Sequence, residues 1–396
     1  MTEIPPYSEI KKHCAAALGM YWRRAPEAVE RLPIFQPSFS TLKLPLTLAE
    51  IQLPSWASDC GVDGGLLVPV EATDRGNRDW KFVDWWLAIF LLLEGWHERT
   101  LESQEGPIHS YSHRLKNWDA RAWEYAWVNR IGLFLRRWAS RSHAVEESSL
   151  LGSLPKPALT LTHDVDALGK TVQIRVKQGA FMAFNLWRRR RFKEVAGWLE
   201  DLRDLRSFVF GNEDWDVIAR TIELEQKRGV TAVFNFHLAA SRPRDPIGWL
   251  LDPSYRSSQA ITRIALKDVK AAGGAIGLHP SIRSWKSART LLEQRLTLEK
   301  VAEEEVRLVR QHWLRFSWER TWLCQEQAGL AQDFTLMFND KSGFRNSSAI
   351  SWKPWRPGSG ETYQICATPT VLMDSHVYDY ETHDDDSRKM RISGLI

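Results

Sequence analysis

A few side chains in this 396-residue sequence are of types, and at spacings, that could do chemistry together. In Thr162-His163-Asp164-Val165-Asp166 the two acids lie two apart. In an extended strand such residues share a face, so Asp164 and Asp166 point together while Val165 points away. His279 ends another strand-like run, and His312 lies in a further one, beside Arg310. Two carboxylates and two imidazoles delivered by different strands to one mouth match a divalent-metal site with N and O ligands, one carboxylate staying free as a general base. Such a donor set suits zinc, and nickel, cobalt or iron are also compatible. Singly these residues mean little, since an Asp at a strand end is more often a helix cap and a lone His more often a hydrogen-bonded core residue. No GxSxG elbow, phosphate loop or dinucleotide fingerprint offers a competing chemistry.

The elements that must position these groups are short β-branched and aromatic runs separated by helical segments. The runs are Leu159 to Asp166, Thr231 to Leu238, Ala275 to Ser281, Arg310 to Phe316, Asp333 to Phe338 and Tyr363 to Asp374. Strands alternating with helices imply an α/β fold with a mainly parallel sheet or barrel, and ligands gather at the carboxyl ends of such strands. The helix before the second run carries Trp215, Ile218 and Ile222 on one side and ends in Lys227, Arg228 and a C′ Gly229. The helix before the fourth places Leu291, Leu298, Ala302 and Val309 on one side, with Glu303 and Glu304 facing water.

A domain boundary is expected near Leu154 to Pro157, giving an N-terminal domain over residues 1–155 and an α/β domain over 156–396. The N-terminal part holds ten of the 20 tryptophans and two helix-like stretches, Trp80 to His97 and Ala120 to Trp138. Trp123, Trp127, Ile131, Leu135 and Trp138 share one helical face. These indoles read as a core and domain interface, or alternatively as stacking platforms for sugar rings. Lys plus Arg is 53 against 49 acids, a net +4 too small for a dedicated nucleic-acid binder. Cys14, Cys60, Cys324 and Cys366 form no CxxC pair and read as reduced thiols. The most apolar run, Phe82 to Leu93, is too short to span a bilayer, and no signal segment opens the chain, so a cytoplasmic protein is expected. Between the first two strands an insertion of about sixty residues contains Trp187 and four arginines, Arg188 to Arg191. These read either as a contact for phosphate, on a nucleotide sugar or at a membrane surface, or as a solvated helix face.

From Leu159 to Asp374 the chain resembles the polysaccharide deacetylase family, also called carbohydrate esterase family four, in a branch with THDVD as first motif. The matching segments are Thr162 to Ala167, Thr231 to Phe236, Gly273 to Ser281, Arg310 to Phe316, and Asp333 to Arg345 with its GFR. The tryptophan-rich N-terminal part is similar to the leader of that branch. The resemblance implies a deformed (β/α) barrel and a metal-dependent hydrolase that removes an acetyl or similar acyl group from a sugar, in the making of a cell-surface polysaccharide. Carried over, Asp164 is the general base, Asp166 and His279 are metal ligands, and Arg310 orients the base. Arg283, Arg345 and Trp313 are expected to bind substrate, a sugar or a phosphate-linked polysaccharide precursor.

Two departures qualify the match. The family's second metal histidine would fall at Arg283, and a guanidinium that never deprotonates cannot ligate a cation. His312 is the expected replacement as ligand and catalytic residue; its plainer role is a hydrogen-bonded core histidine. The chain also stops 22 residues after Asp374, too soon for a further helix and the last strand that carries the family's acidic histidine. Either the barrel is shortened or something else closes it, with His376 or His383 standing in for the acid. The alternative function is a catalytically inactive, carbohydrate-binding or assembly protein.

Overall fold

A computed structural model describes residues 4–36, 46–169, 172–191, 198–211, 216–238, 251–252, 255, 259–378 and 384–395. They divide into two compact units, one made of Met1–Ala158 with Trp313–Ile396 and the other of Leu159–His312.

In the first unit an antiparallel pair, β1 (Leu48–Gln52) and β2 (Gly65–Pro69), accompanies helices α1 (Tyr7–Ala17), α2 (Trp85–Leu93), α3 (Trp96–Glu105) and α4 (Trp127–His143). The stretch expected as one helix from Trp80 is broken twice. Asp84 stands at the N-cap of α2, its side chain accepting from the Leu87 N–H at 3.0 Å. Gly95, at φ 53°, separates α2 from α3, and any side chain there would strike the Trp318 ring. Every residue of α2 is buried, so its lack of a polar face reflects a helix enclosed on all sides. Trp22, Trp85, Trp86 and Trp96 are among the largest fully buried side chains, which places these indoles in the core. The four cysteines are free thiols.

The second unit is α/β. Four parallel strands, β3 (Leu161–Val165), β4 (Ala232–Phe236), β5 (Ala275–Leu278) and β6 (Leu308–Val309), pair in sequence order. A helical hairpin, α5 (Val172–Arg191) and α6 (Trp198–Phe210), follows β3; α7 (Val217–Arg228) leads into β4, α8 (Ala260–Ala271) into β5 and α9 (Ala288–Ala302) into β6. Gly229 does end α7 in the left-handed conformation. Among the described residues β3 pairs with β4 alone, so the strands form an open parallel run and closure into a barrel is not seen.

The fourth strand differs from its expected span. It ends at Val309, and the ladder's last bond is Arg310 N–H to the Leu278 carbonyl at 3.0 Å. His312 to Leu314 then form a 3₁₀ turn in which Trp313 and Leu314 take positive φ. His312 therefore stands beyond the strand's carboxyl end, and it is buried there. In the first unit the last two runs contribute only the parallel pair β7 (Gln332–Asp333) and β10 (Cys366–Ala367), with the hairpin β8 (Trp355–Arg356) and β9 (Glu361–Thr362) between them. Among the described residues no helix is long and apolar enough to cross a membrane.

Candidate metal centre

The register of the parallel strands builds the site row by row. Asp164 lies opposite Asn235, and Asn235 opposite Gly277. Two residues on, at the carboxyl ends, come Asp166, His237 and His279, on the same face by the two-residue period. Asn235 Nδ2 donates to Asp164 Oδ1 at 3.0 Å. Gly277 makes this possible, because a Cβ at that position would collide with Asn235 Oδ1.

Asp166, His279 and His312 each offer a ligand atom, all within 4.8 Å of one another. Asp166 Oδ1 lies 3.4 Å from His279 Nε2 and 3.7 Å from His312 Nε2. Donors about 2.1 Å from one tetrahedral ion stand about 3.4 Å apart, close to the two distances from Asp166. The outer nitrogens fit as well. His279 Nδ1 faces the Arg310 carbonyl at 2.8 Å, and His312 Nδ1 faces Asp252 Oδ1 at 3.0 Å. A carbonyl or carboxylate partner makes Nδ1 the donor and leaves each Nε2 turned to the shared point, the arrangement that orients metal-bound imidazoles.

The electrostatics follow the geometry. The Asp166 side chain is 61% exposed; the surrounding protein still works to raise its carboxyl by desolvation, but the hydrogen bond and charge of His279, with His312 and His237 behind it, hold it down at about 2. Burial works to lower His279, but Asp164 and Asp166 raise it to about 9. The two acids thus concentrate enough negative potential to hold a positive charge at this point. Asp164 Oδ1 is 3.8 Å from His279 Nδ1 and 3.7 Å from Arg310 Nη1, outside the triad but against it.

Three neighbours escaped the sequence reading. Asp252, buried, also accepts the Ile282 N–H at 2.7 Å; burial raises its carboxyl, while the His312 bond, His237 and that N–H hold it below the usual range. His237, also buried, gives its Nδ1 to the His279 carbonyl at 2.9 Å, and its Nε2 has no hydrogen-bond partner among the described residues. Burial is the main cause that pushes it down to about 4. Tyr255 donates to the Val165 carbonyl and accepts the His237 N–H, both at 2.7 Å. His237 was legible, since it ends β4 as His279 ends β5. Asp252 and Tyr255 lie outside any strand and carry no pattern.

The remaining expected residues are not part of this cluster. Arg283 is exposed just before a 3₁₀ turn. Trp313, 38% exposed, and Arg345 belong to the other unit. Arg345 is buried there, with Nη2 2.7 Å from Glu98 Oε2 and Nη1 donating to the Met337 carbonyl at 2.9 Å. His376 is buried in that unit between the Met373 N–H and the Phe338 carbonyl, and His383 lies outside the described residues.

No protein-family model matches this chain, and no curated protein matches it. A solved structure from Mycobacterium smegmatis, described as a "putative polysaccharide deacetylase", overlaps 61% of this chain and 74% of its own, at 12% identity and a TM-score of 0.35. At that score and identity the likeness is too slight to bear on activity.

Proposed function

We propose that this chain is a metal-dependent hydrolase that removes an acetyl or similar acyl group from a sugar of a cell-surface polysaccharide precursor, acting in the cytoplasm. The observation that carries the reading is the convergence of Asp166, His279 and His312 on one point, with Asp164 beside it. Zinc is the first choice of ion, and nickel, cobalt or iron suit the same donors. Bound there, the ion would polarise the acyl carbonyl and lower the pKa of water. Asp164 is the base that takes the proton: Asn235 fixes Oδ1 and the Arg310 guanidinium flanks it, so its position is set before substrate arrives. Asp252 and the Arg310 carbonyl fix the two rings.

Elemental analysis of protein purified without chelator should find about one divalent ion per chain. Asp164→Asn should abolish acetate release from N-acetylated sugars with the ion still bound, whereas His279→Ala or His312→Ala should lose the ion. A protein that takes up no ion on reconstitution would refute the reading. The second reading, carbohydrate binding without turnover, is favoured by Arg283 at the place of the family's second histidine. Sugar binding indifferent to chelator, with no acetate released, would identify it.

A further inference from the structure

Helix α5 is packed along one side. Gly179 is buried, and a Cβ there would meet Val209 of α6 at 2.9 Å. Arg175 Nη1 reaches the carbonyls of Val209 and Gly211 at 2.6 and 2.8 Å. Away from this seam a stripe of apolar residues is open to solvent. Val176, Ala180, Ala183, Phe184 and Trp187 are all exposed, at spacings of three and four that keep them on one face. Val176, Phe184 and Trp187 are 58%, 54% and 53% exposed, and the last two rings lie 5.9 Å apart.

Charge is equally one-sided. The helix contains Arg175, Lys177 and Arg188 to Arg191 and no Asp or Glu. A second copy pressed against this stripe would bring two acid-free cationic helices together, a repulsive arrangement. A surface that is apolar beneath and anionic above suits both features. An exposed apolar stripe with Phe and Trp on a basic helix is the composition of segments that lie in a membrane interface, and indoles settle at headgroup level.

We propose that the Val176–Trp187 face of α5 docks on an anionic lipid surface, with the stripe entering the boundary between headgroups and acyl chains and the arginine run drawn to lipid phosphates. The helix lies on the bilayer and does not cross it, consistent with its charge. Sugar precursors carried on lipid phosphates would then be presented at the surface where the protein sits. The docking itself does not depend on the hydrolase reading.

Flotation of the full chain with vesicles tests it. Vesicles of phosphatidylcholine with about 30% phosphatidylglycerol should carry the protein up, and phosphatidylcholine alone should not; binding should fall as salt rises from about 0.1 to 0.5 M. Phe184→Ala with Trp187→Ala should weaken binding by about tenfold or more. Changing Arg188, Arg189, Arg190 and Arg191 together to Gln should do the same for the anionic vesicles. Circular dichroism and metal content equal to the parent would show that the variants remain folded. Absence of flotation, or flotation that neither set of changes alters, would overturn the proposal. So would a parent dimer that Trp187→Ala dissociates while no vesicle binds.

Discussion

His312 reaches the cluster with its ring already oriented, because Asp252 holds Nδ1 and leaves Nε2 turned to Asp166. Removing such a carboxylate typically costs a metal site ten- to a hundredfold in affinity. Asp252→Ala should therefore weaken metal binding by about that factor in a chelator competition, and Asp252→Asn by less, since an amide oxygen still accepts. Gly277→Ala tests the other support. The new methyl would displace Asn235, so Asp164 should lose its fixed position and turnover should fall about ten- to a hundredfold, with bound metal unchanged. At this scale the two-residue period pointed to Asp164, Asp166 and His279 at strand ends, and their side chains do lie near one another; His312 comes instead from a 3₁₀ turn beyond its strand. The sequence could not find Asp252, which meets His312 across sixty residues of chain.

Among the elements, α2 carries a charge that its environment resists. Asp84 caps the helix through Oδ1, while Oδ2 is buried without a hydrogen-bond partner among the described residues. Burial raises its carboxyl to about 7, against the N–H groups of Leu87 and Trp86. Because the folded pKa lies above the unfolded value, the folded state holds the proton more tightly. Its contribution to stability is complete below about pH 4 and is lost as pH rises to about 7. Measured against Asp84→Asn, which keeps an acceptor for Leu87, the parent should therefore lose roughly 3 kcal/mol of stability to urea across that interval. Other groups titrate in the same interval, Glu71 raised by burial to about 7 and His97 and His109 lowered by burial to about 4, and they are common to both proteins, so the difference between parent and variant isolates Asp84. The periodicity of this region predicted helices but not their breaks. Gly95 is required by the Trp318 ring, a neighbour more than two hundred positions away in sequence.

At the scale of the whole molecule, the first unit is assembled from both ends of the chain. Glu98 of α3 is buried between Arg345 and Trp318, and Glu94 between His13, Arg99 and Trp352. Deleting one member of a buried ion pair strands the other charge, so Arg345→Met should destabilise this unit by about 3–5 kcal/mol in thermal or urea unfolding. A fragment ending at Ala158 would lack Trp318, Arg345 and Trp352 and should show no cooperative unfolding transition. Arg345 was expected to bind substrate; its partner is instead a carboxylate of the same unit, which satisfies its planar fork.

The sequence by itself determined the α/β alternation from Leu159 to Val309, the face shared by Asp164 and Asp166, and the burial of the tryptophan-rich helices. Each is a local property, set by side-chain period and composition within a few turns or one strand. Tertiary structure alone decided where His312 leaves its strand, that Asp252 and His237 stand behind the imidazoles, and that Trp313–Ile396 cluster with residues 1–158. Those outcomes depend on contacts between distant segments, where the gain from pairing a buried charge or filling a packed face outweighs local preference.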